Sequence, residues 1–157
     1  MPASLLDSNV WLAAAFAAHP AHGPARGALL AATADEPALW CRATQLSFLR
    51  LASTPLIQRA YGVSRATNQD AWAALQTFLA LEQVDQVEEP PELAHHWARL
   101  GAVAQSAPKA WVDAYLAAFA IAGGYRLLTL DRDFRQHVSA GLALRVLEGA
   151  DHQNGSA

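Results

Sequence analysis

Short apolar runs alternate along the chain with longer stretches in which apolar residues return every three or four positions. Residues 3 to 6, 38 to 41, 126 to 130 and 142 to 147 read as short strands, and Leu127, Leu128 and Leu130 make the third of them too apolar to be anything but interior. Residues 84 to 87 alternate and read as an edge strand. Helical spacing opens behind a Ser8-Asn9 cap with Val10, Leu12, Ala13 and Phe16, and a second helix is expected over 24 to 33. Thr44 is expected to cap a helix over 45 to 52 with Leu46, Phe48, Leu49 and Leu51 in its core stripe. The pattern predicts further helices over 68 to 81 (Trp72, Leu75, Phe78, Leu79 on one face) and 93 to 105 (Trp97, Leu100, Val103). A last helix opens at Asp113 and stops at Gly123-Gly124. His19-Pro20, Asp35-Glu36-Pro37, Ser53-Thr54-Pro55 and Pro90-Pro91 are the breaks, and residues 55 to 66 read as loop.

Strands and helices in this alternation predict a three-layer α/β/α domain around a mostly parallel sheet of about five short strands. The expected boundaries are one domain over residues 1 to 147 and a disordered polar tail over 148 to 157. The longest uninterrupted apolar run, residues 10 to 18, is far below the ~20 residues a bilayer requires, and no basic segment leads into an apolar one at the start. The single Cys41 has no intrachain partner and reads as a small buried hydrophobe, which suits a reducing cytoplasm. Net charge is −3, from 14 acids and 11 bases, so the chain does not grip nucleic acid by bulk charge. A nucleic-acid partner would need positive charge supplied locally.

Candidate chemistry lies in the acids. Parallel strands present their carboxyl ends on one edge, where α/β sheets place ligands. Asp7 follows the first strand, Asp131 and Asp133 follow the fourth, and Asp113 opens the last helix. Singly each has an ordinary role in a turn or a first helical turn. Gathered together they would repel one another and call for a cation. Oxygen-only donors favour Mg²⁺ or Mn²⁺ over Zn²⁺. The six histidines show no metal-ligand spacing and read as solvent-facing or capping. A haloacid-dehalogenase-type phosphatase needs Asp-x-Asp where this chain has Asp7-Ser8-Asn9. A receiver domain needs a lysine that Lys109, the only one, does not supply, and no phosphate-binding glycine loop is present.

Four segments in order carry a family resemblance: 5 to 10 (Leu5-Leu6-Asp7-Ser8-Asn9-Val10), 43 to 50 (Ala43-Thr44-Gln45-Leu46 with Phe48-Leu49-Arg50), 111 to 118 around Asp113, and 128 to 134 (Leu128-Thr129-Leu130-Asp131-Arg132-Asp133-Phe134). With them the chain resembles, over residues 3 to 147, the PIN-domain ribonucleases, in particular the VapC-type toxins of bacterial type II toxin–antitoxin systems. The resemblance implies a Mg²⁺- or Mn²⁺-dependent endoribonuclease in which metal-activated water hydrolyses RNA. Asp7, Asp113 and Asp131 would be catalytic and hold the metal, with Asp133 a candidate fourth ligand. Asn9 and Thr129 would orient these carboxylates from behind, and Gln45 would hydrogen-bond a metal-bound water or offer its carbonyl oxygen. Gln45 departs from the family's Thr-Glu pair, which leaves one or two ions open. Arg50 and Arg132 are candidate contacts to RNA phosphates, with Arg135 a looser one. The implied partners are an RNA substrate, a cognate antitoxin and a second copy in a homodimer, with helices over 46 to 81 as a candidate partner face. The competing readings are a PIN-like binding module that no longer cleaves RNA, and a metal-dependent nuclease or phosphatase with another substrate.

Overall fold

The computed structural model describes residues 2 to 149. Five strands, β1 (Ser4–Leu6), β2 (Ala38–Trp40), β3 (Val84–Gln86), β4 (Arg126–Thr129) and β5 (Ala143–Val146), form one sheet in the order β3-β2-β1-β4-β5. Every neighbouring pair is parallel. Val84 to Gln86 lie at the edge, as their alternation predicts.

The three central strands β2, β1 and β4 are largely buried and mostly apolar because helices cover both faces. Leu6, Ala38, Trp40 and Leu128 point into one hydrophobic cluster, packed by α1 (Ser8–Ala15), α2 (His22–Ala31), α3 (Arg42–Ala52) and α5 (Asn68–Leu79). Their strand neighbours Leu5, Leu39 and Leu127 point into the other, packed by α6 (Leu93–Gly101), α7 (Ala110–Gly123) and a 3-10 helix over Arg132–Ala140. This period-two division is what makes the domain three-layered. On the first face Trp11 and Trp40 stack at 4.0 Å between ring centroids, and Phe48 meets Trp40 edge-on. Both indole Nε1 groups are buried without a hydrogen-bond partner, a cost that the ring packing must outweigh.

Several boundaries differ from the sequence pattern for local reasons. Residues 55 to 66, expected as loop, contain α4 (Pro55–Ala60), because a proline that ends one helix is also well suited to the first position of the next. Helix α2 starts at His22 rather than residue 24, and α6 ends at Gly101 rather than 105. Thr44 does not cap α3 from outside. It lies within the first turn, where its hydroxyl donates to the Cys41 carbonyl (2.9 Å) and accepts from the Cys41 N–H (3.0 Å). Asp7, rather than Ser8 or Asn9, precedes α1, and its side chain caps nothing. Helix α7 begins at Ala110, so Asp113 lies in its first turn.

Leu46 and Trp72, expected in core stripes, are instead 64% and 53% exposed. Phe48 and Ala52 bury one face of α3, and Ala71 and Leu75 one face of α5. His137, expected at the surface, is buried in the 3-10 helix beside Phe134, and burial lowers its pKa. His22 does close a helix end, its Nδ1 lying 2.9 Å from the Ala13 carbonyl. The tail expected over 148 to 157 falls, from residue 150 onward, outside the described residues.

Candidate active site

The strand order places a topological switch point between β1 and β4, since the chain leaves β1 toward β2 on one side and reaches β4 on the other. A crevice at the carboxyl ends of such a strand pair is where α/β sheets bind ligands. Asp7 and Asp131 flank this crevice. A cavity of about 280 Å³ opens there, lined by Asp7 and Asn9 after β1, by Thr44, Ser47 and Arg50 on α3, by Asp113 on α7 and by Asp131 after β4.

Thr129, the last residue of β4, is fully buried and bonds to three of the residues that line the cavity. Its hydroxyl donates to Asp7 Oδ2 at 2.8 Å and accepts from the Asp131 N–H at 3.0 Å and from Asn9 Nδ2 at 3.3 Å. One hydroxyl therefore joins both acids flanking the switch point to Asn9, using its single proton and both lone pairs. Asn9 Oδ1 in turn accepts from the Leu130 N–H (3.2 Å), and Ser8 Oγ lies 3.4 Å from Asp7 Oδ1. Asp131 caps the 3-10 helix by accepting the Asp133 N–H at 2.8 Å.

The electrostatics are those of crowded, partly desolvated acids. Burial pushes the Asp7 carboxyl above its ordinary value, partly opposed by the Thr129 and Ser8 hydrogen bonds, while the charge of Asp131 raises it further. Asp113 is also raised, by burial first and then by the charges of Asp131, Asp7 and Asp133. Among the described residues no three His, Cys, Asp or Glu side chains are already drawn up to hold a single ion. The donor chemistry nonetheless fits a hard divalent cation, because oxygen-only acids that raise one another's pKa are relieved by positive charge among them.

The structure brings together Asp7, Asp113, Asp131, Asn9, Thr129 and Arg50. Asp133 is exposed, tied to Asp131 through its backbone N–H, and does not line the cavity. Gln45 is turned away. Its Oε1 accepts from Arg42 (2.6 Å) and its Nε2 donates to Gln86 Oε1 (3.0 Å), both outside the cavity lining. Ser47, three residues beyond Thr44, faces the acids in its place and was missed by reading an adjacent pair. The helical step from Thr44 to residues 47 and 51 could have found it. Arg132 lies 3.8 Å from Glu148 in a neighbouring depression.

Fold and cavity together define a class: three-layer α/β/α domains that carry an acidic pocket at the switch point of a parallel sheet. The PIN domain model matches residues 4–138, and the chain belongs to that family. It is 44% identical over 145 residues, 91% of this chain and 97% of the relative, to Ribonuclease VapC41 of Mycobacterium tuberculosis. In fold it is similar to Mycobacterium tuberculosis VapC20, described as a sarcin–ricin loop cleaving toxin, with TM-score 0.62, 18% identity and coverage of 93% and 100% of the two chains. It is likewise similar to a chain of VapBC-1 from nontypeable Haemophilus influenzae, with TM-score 0.60, 14% identity and coverage of 91% and 96%.

Proposed function

We propose that this chain is a divalent-metal-dependent endoribonuclease and the toxin component of a toxin–antitoxin pair. The observation that carries the reading is the cavity that Asp7, Asp113 and Asp131 line from three elements, in a chain 44% identical over most of its length to a named ribonuclease. Residues 1 to 147 form the catalytic unit. Mg²⁺ or Mn²⁺ held by Asp7, Asp113 and Asp131 would supply a water of lowered pKa and neutralise charge on the phosphate. Asp133 is a candidate further ligand.

The chain's own residues set the stage for that chemistry. Thr129 keeps one Asp7 oxygen committed at 2.8 Å, which orients the carboxylate, while the other oxygen lies 3.4 Å from Ser8 Oγ. Asn9 holds Thr129 and the Leu130 backbone in register, so Asp131 is delivered by a rigid strand end rather than a loose loop. Gln45 acts at one remove, by fixing Arg42 against the β3 edge. On this reading no side chain forms a covalent intermediate.

The partners on this reading are RNA, an antitoxin protein and a second copy of the chain, in the cytoplasm. No helix among the described residues is long and apolar enough to cross a membrane. The homodimer face is assigned to α3 and α5. Leu46 and Trp72 are exposed there around a groove of about 750 Å³ that also includes Leu49 and Ala71. Incubation of total RNA with Mg²⁺, Mn²⁺ or EDTA, comparing the parent with Asp7→Asn, tests the enzyme reading. Metal-dependent products from the parent alone support it. A parent that leaves RNA intact with either ion returns the chain to the binding-module reading.

A further inference from the structure

We propose that Arg50 binds the phosphate of the RNA strand that enters the acid cavity. The inference rests on the ribonuclease reading and names the side chain that receives the substrate's negative charge. Arg50 is the only Lys or Arg among the residues lining the cavity with Asp7, Asp113 and Asp131. It stands in the last turn of α3, on the face that also presents Thr44, Ser47 and Leu51 to the cavity. The α3 wall thus carries a guanidinium where the β1, β4 and α7 walls carry carboxylates.

That guanidinium is not already committed. Asp7 takes its side-chain hydrogen bonds from Thr129 and Ser8, and the Asp131 carboxylate accepts the Asp133 N–H. Among the described residues Arg50 has no ion-pair or hydrogen-bond acceptor for its side chain, whereas Arg132, the other arginine near the acids, is within 3.8 Å of Glu148. The backbone beneath Arg50 is held firmly: its carbonyl accepts from Thr54 Oγ1 at 2.6 Å and from Ser53 Oγ at 3.3 Å. An exposed arginine on a pinned helical turn, facing a cavity of acids that it does not neutralise, matches the fork geometry by which guanidinium meets phosphate oxygens. It also answers the acidic net charge of −3, since an anionic strand needs a local cation to approach three carboxylates.

The test uses the full chain with Arg50→Gln and Arg50→Lys. Binding of a labelled short oligouridylate is followed by anisotropy in EDTA across a salt series, alongside total-RNA cleavage with Mg²⁺, thermal melting and sedimentation. Arg50→Gln is expected to lower the slope of log K against log salt by about 0.7, the share of one single-strand phosphate contact. Cleavage should fall about 10- to 100-fold, the worth of one charge-assisted hydrogen bond. Arg50→Lys should restore the salt slope but only part of the rate. Melting temperature should not change, because among the described residues the Arg50 side chain has no hydrogen-bond or ion-pair partner; molecular mass is followed because Arg50 also lines the α3–α5 groove. An unchanged salt slope in Arg50→Gln overturns the proposal, and a changed mass with that same slope shows Arg50 serving the α3–α5 face instead. A parent that binds RNA with an Arg50-dependent slope yet cleaves none retains the phosphate contact and removes the ribonuclease reading. A cleaving parent indifferent to Arg50→Gln does the reverse.

Discussion

Thr129→Val removes one hydroxyl and almost no volume, so it isolates the hydrogen bonds that tie Asp7, Asn9 and Asp131 together. The native hydroxyl donates to Asp7 Oδ2 at 2.8 Å and accepts from the Asp131 N–H and Asn9 Nδ2 at 3.0 and 3.3 Å. A hydrogen bond to a buried charged group is worth about 1.5–3 kcal/mol, and the two part-buried donors left without their acceptor add about 1 kcal/mol. The sum is about 2–4 kcal/mol at neutral pH, or a fall in melting temperature of about 5–15 °C for a chain of this size. The loss has a pH signature. The Thr129 bond lowers an Asp7 pKa that burial has raised, so in Thr129→Val the folded pKa rises further. A raised folded carboxyl pKa contributes stability that is complete below the unfolded value and is lost as pH rises through the folded value. The deficit of Thr129→Val relative to the parent should therefore be largest at neutral pH and shrink on acidification. Thr129→Ser keeps the hydroxyl, loses one methyl, and should cost about 1 kcal/mol at every pH. Melting curves of parent, Val and Ser variants across the acid range decide the matter. A Val deficit that is independent of pH, or no larger than that of Ser, refutes this account of the site.

Asp7→Asn and Asp113→Asn should each raise the melting temperature at neutral pH without metal, because both carboxyls are held above their ordinary values by burial and mutual charge. The gain should vanish at acid pH, where the parent's carboxyls are protonated; a variant less stable than the parent at neutral pH contradicts the crowding. Millimolar Mg²⁺ or Mn²⁺ should raise the parent's melting temperature, as any ligand selective for the folded state does, and the rise should disappear in Asp113→Asn. An equal rise in both proteins would place the ion elsewhere. Trp40→Ala should cost about 3–5 kcal/mol, since it empties a fully buried position stacked on Trp11 and edged by Phe48; denaturant midpoints measure it. On the proposed homodimer, Trp72→Glu should lower the sedimenting mass from dimer to monomer, and persistence of a dimer would move the interface off the α3–α5 groove.

Sequence by itself determined the layer architecture and most of the acid set. Uniformly apolar strands such as Leu127-Leu128 are legible because burial on both faces removes the alternation that a half-wet strand would show. Parallel topology then delivers Asp7 and Asp131 to one edge, since every strand ends there. Asp113 was legible from its place at the start of an apolar helix. Tertiary structure decided what local pattern leaves open. Which face of α3 meets the acids depends on how the helix is rotated against the sheet, and that rotation puts Ser47 and Arg50 along the cavity while Gln45 joins Arg42 and Gln86. The same rotation leaves Leu46 outside, and α5 likewise leaves Trp72 outside, because a hydrophobic side chain at helical spacing records an apolar face without saying whether the chain's own core or another molecule covers it. Thr129 joins two acids 124 residues apart through one oxygen, a relation set by strand register and by no spacing along the chain.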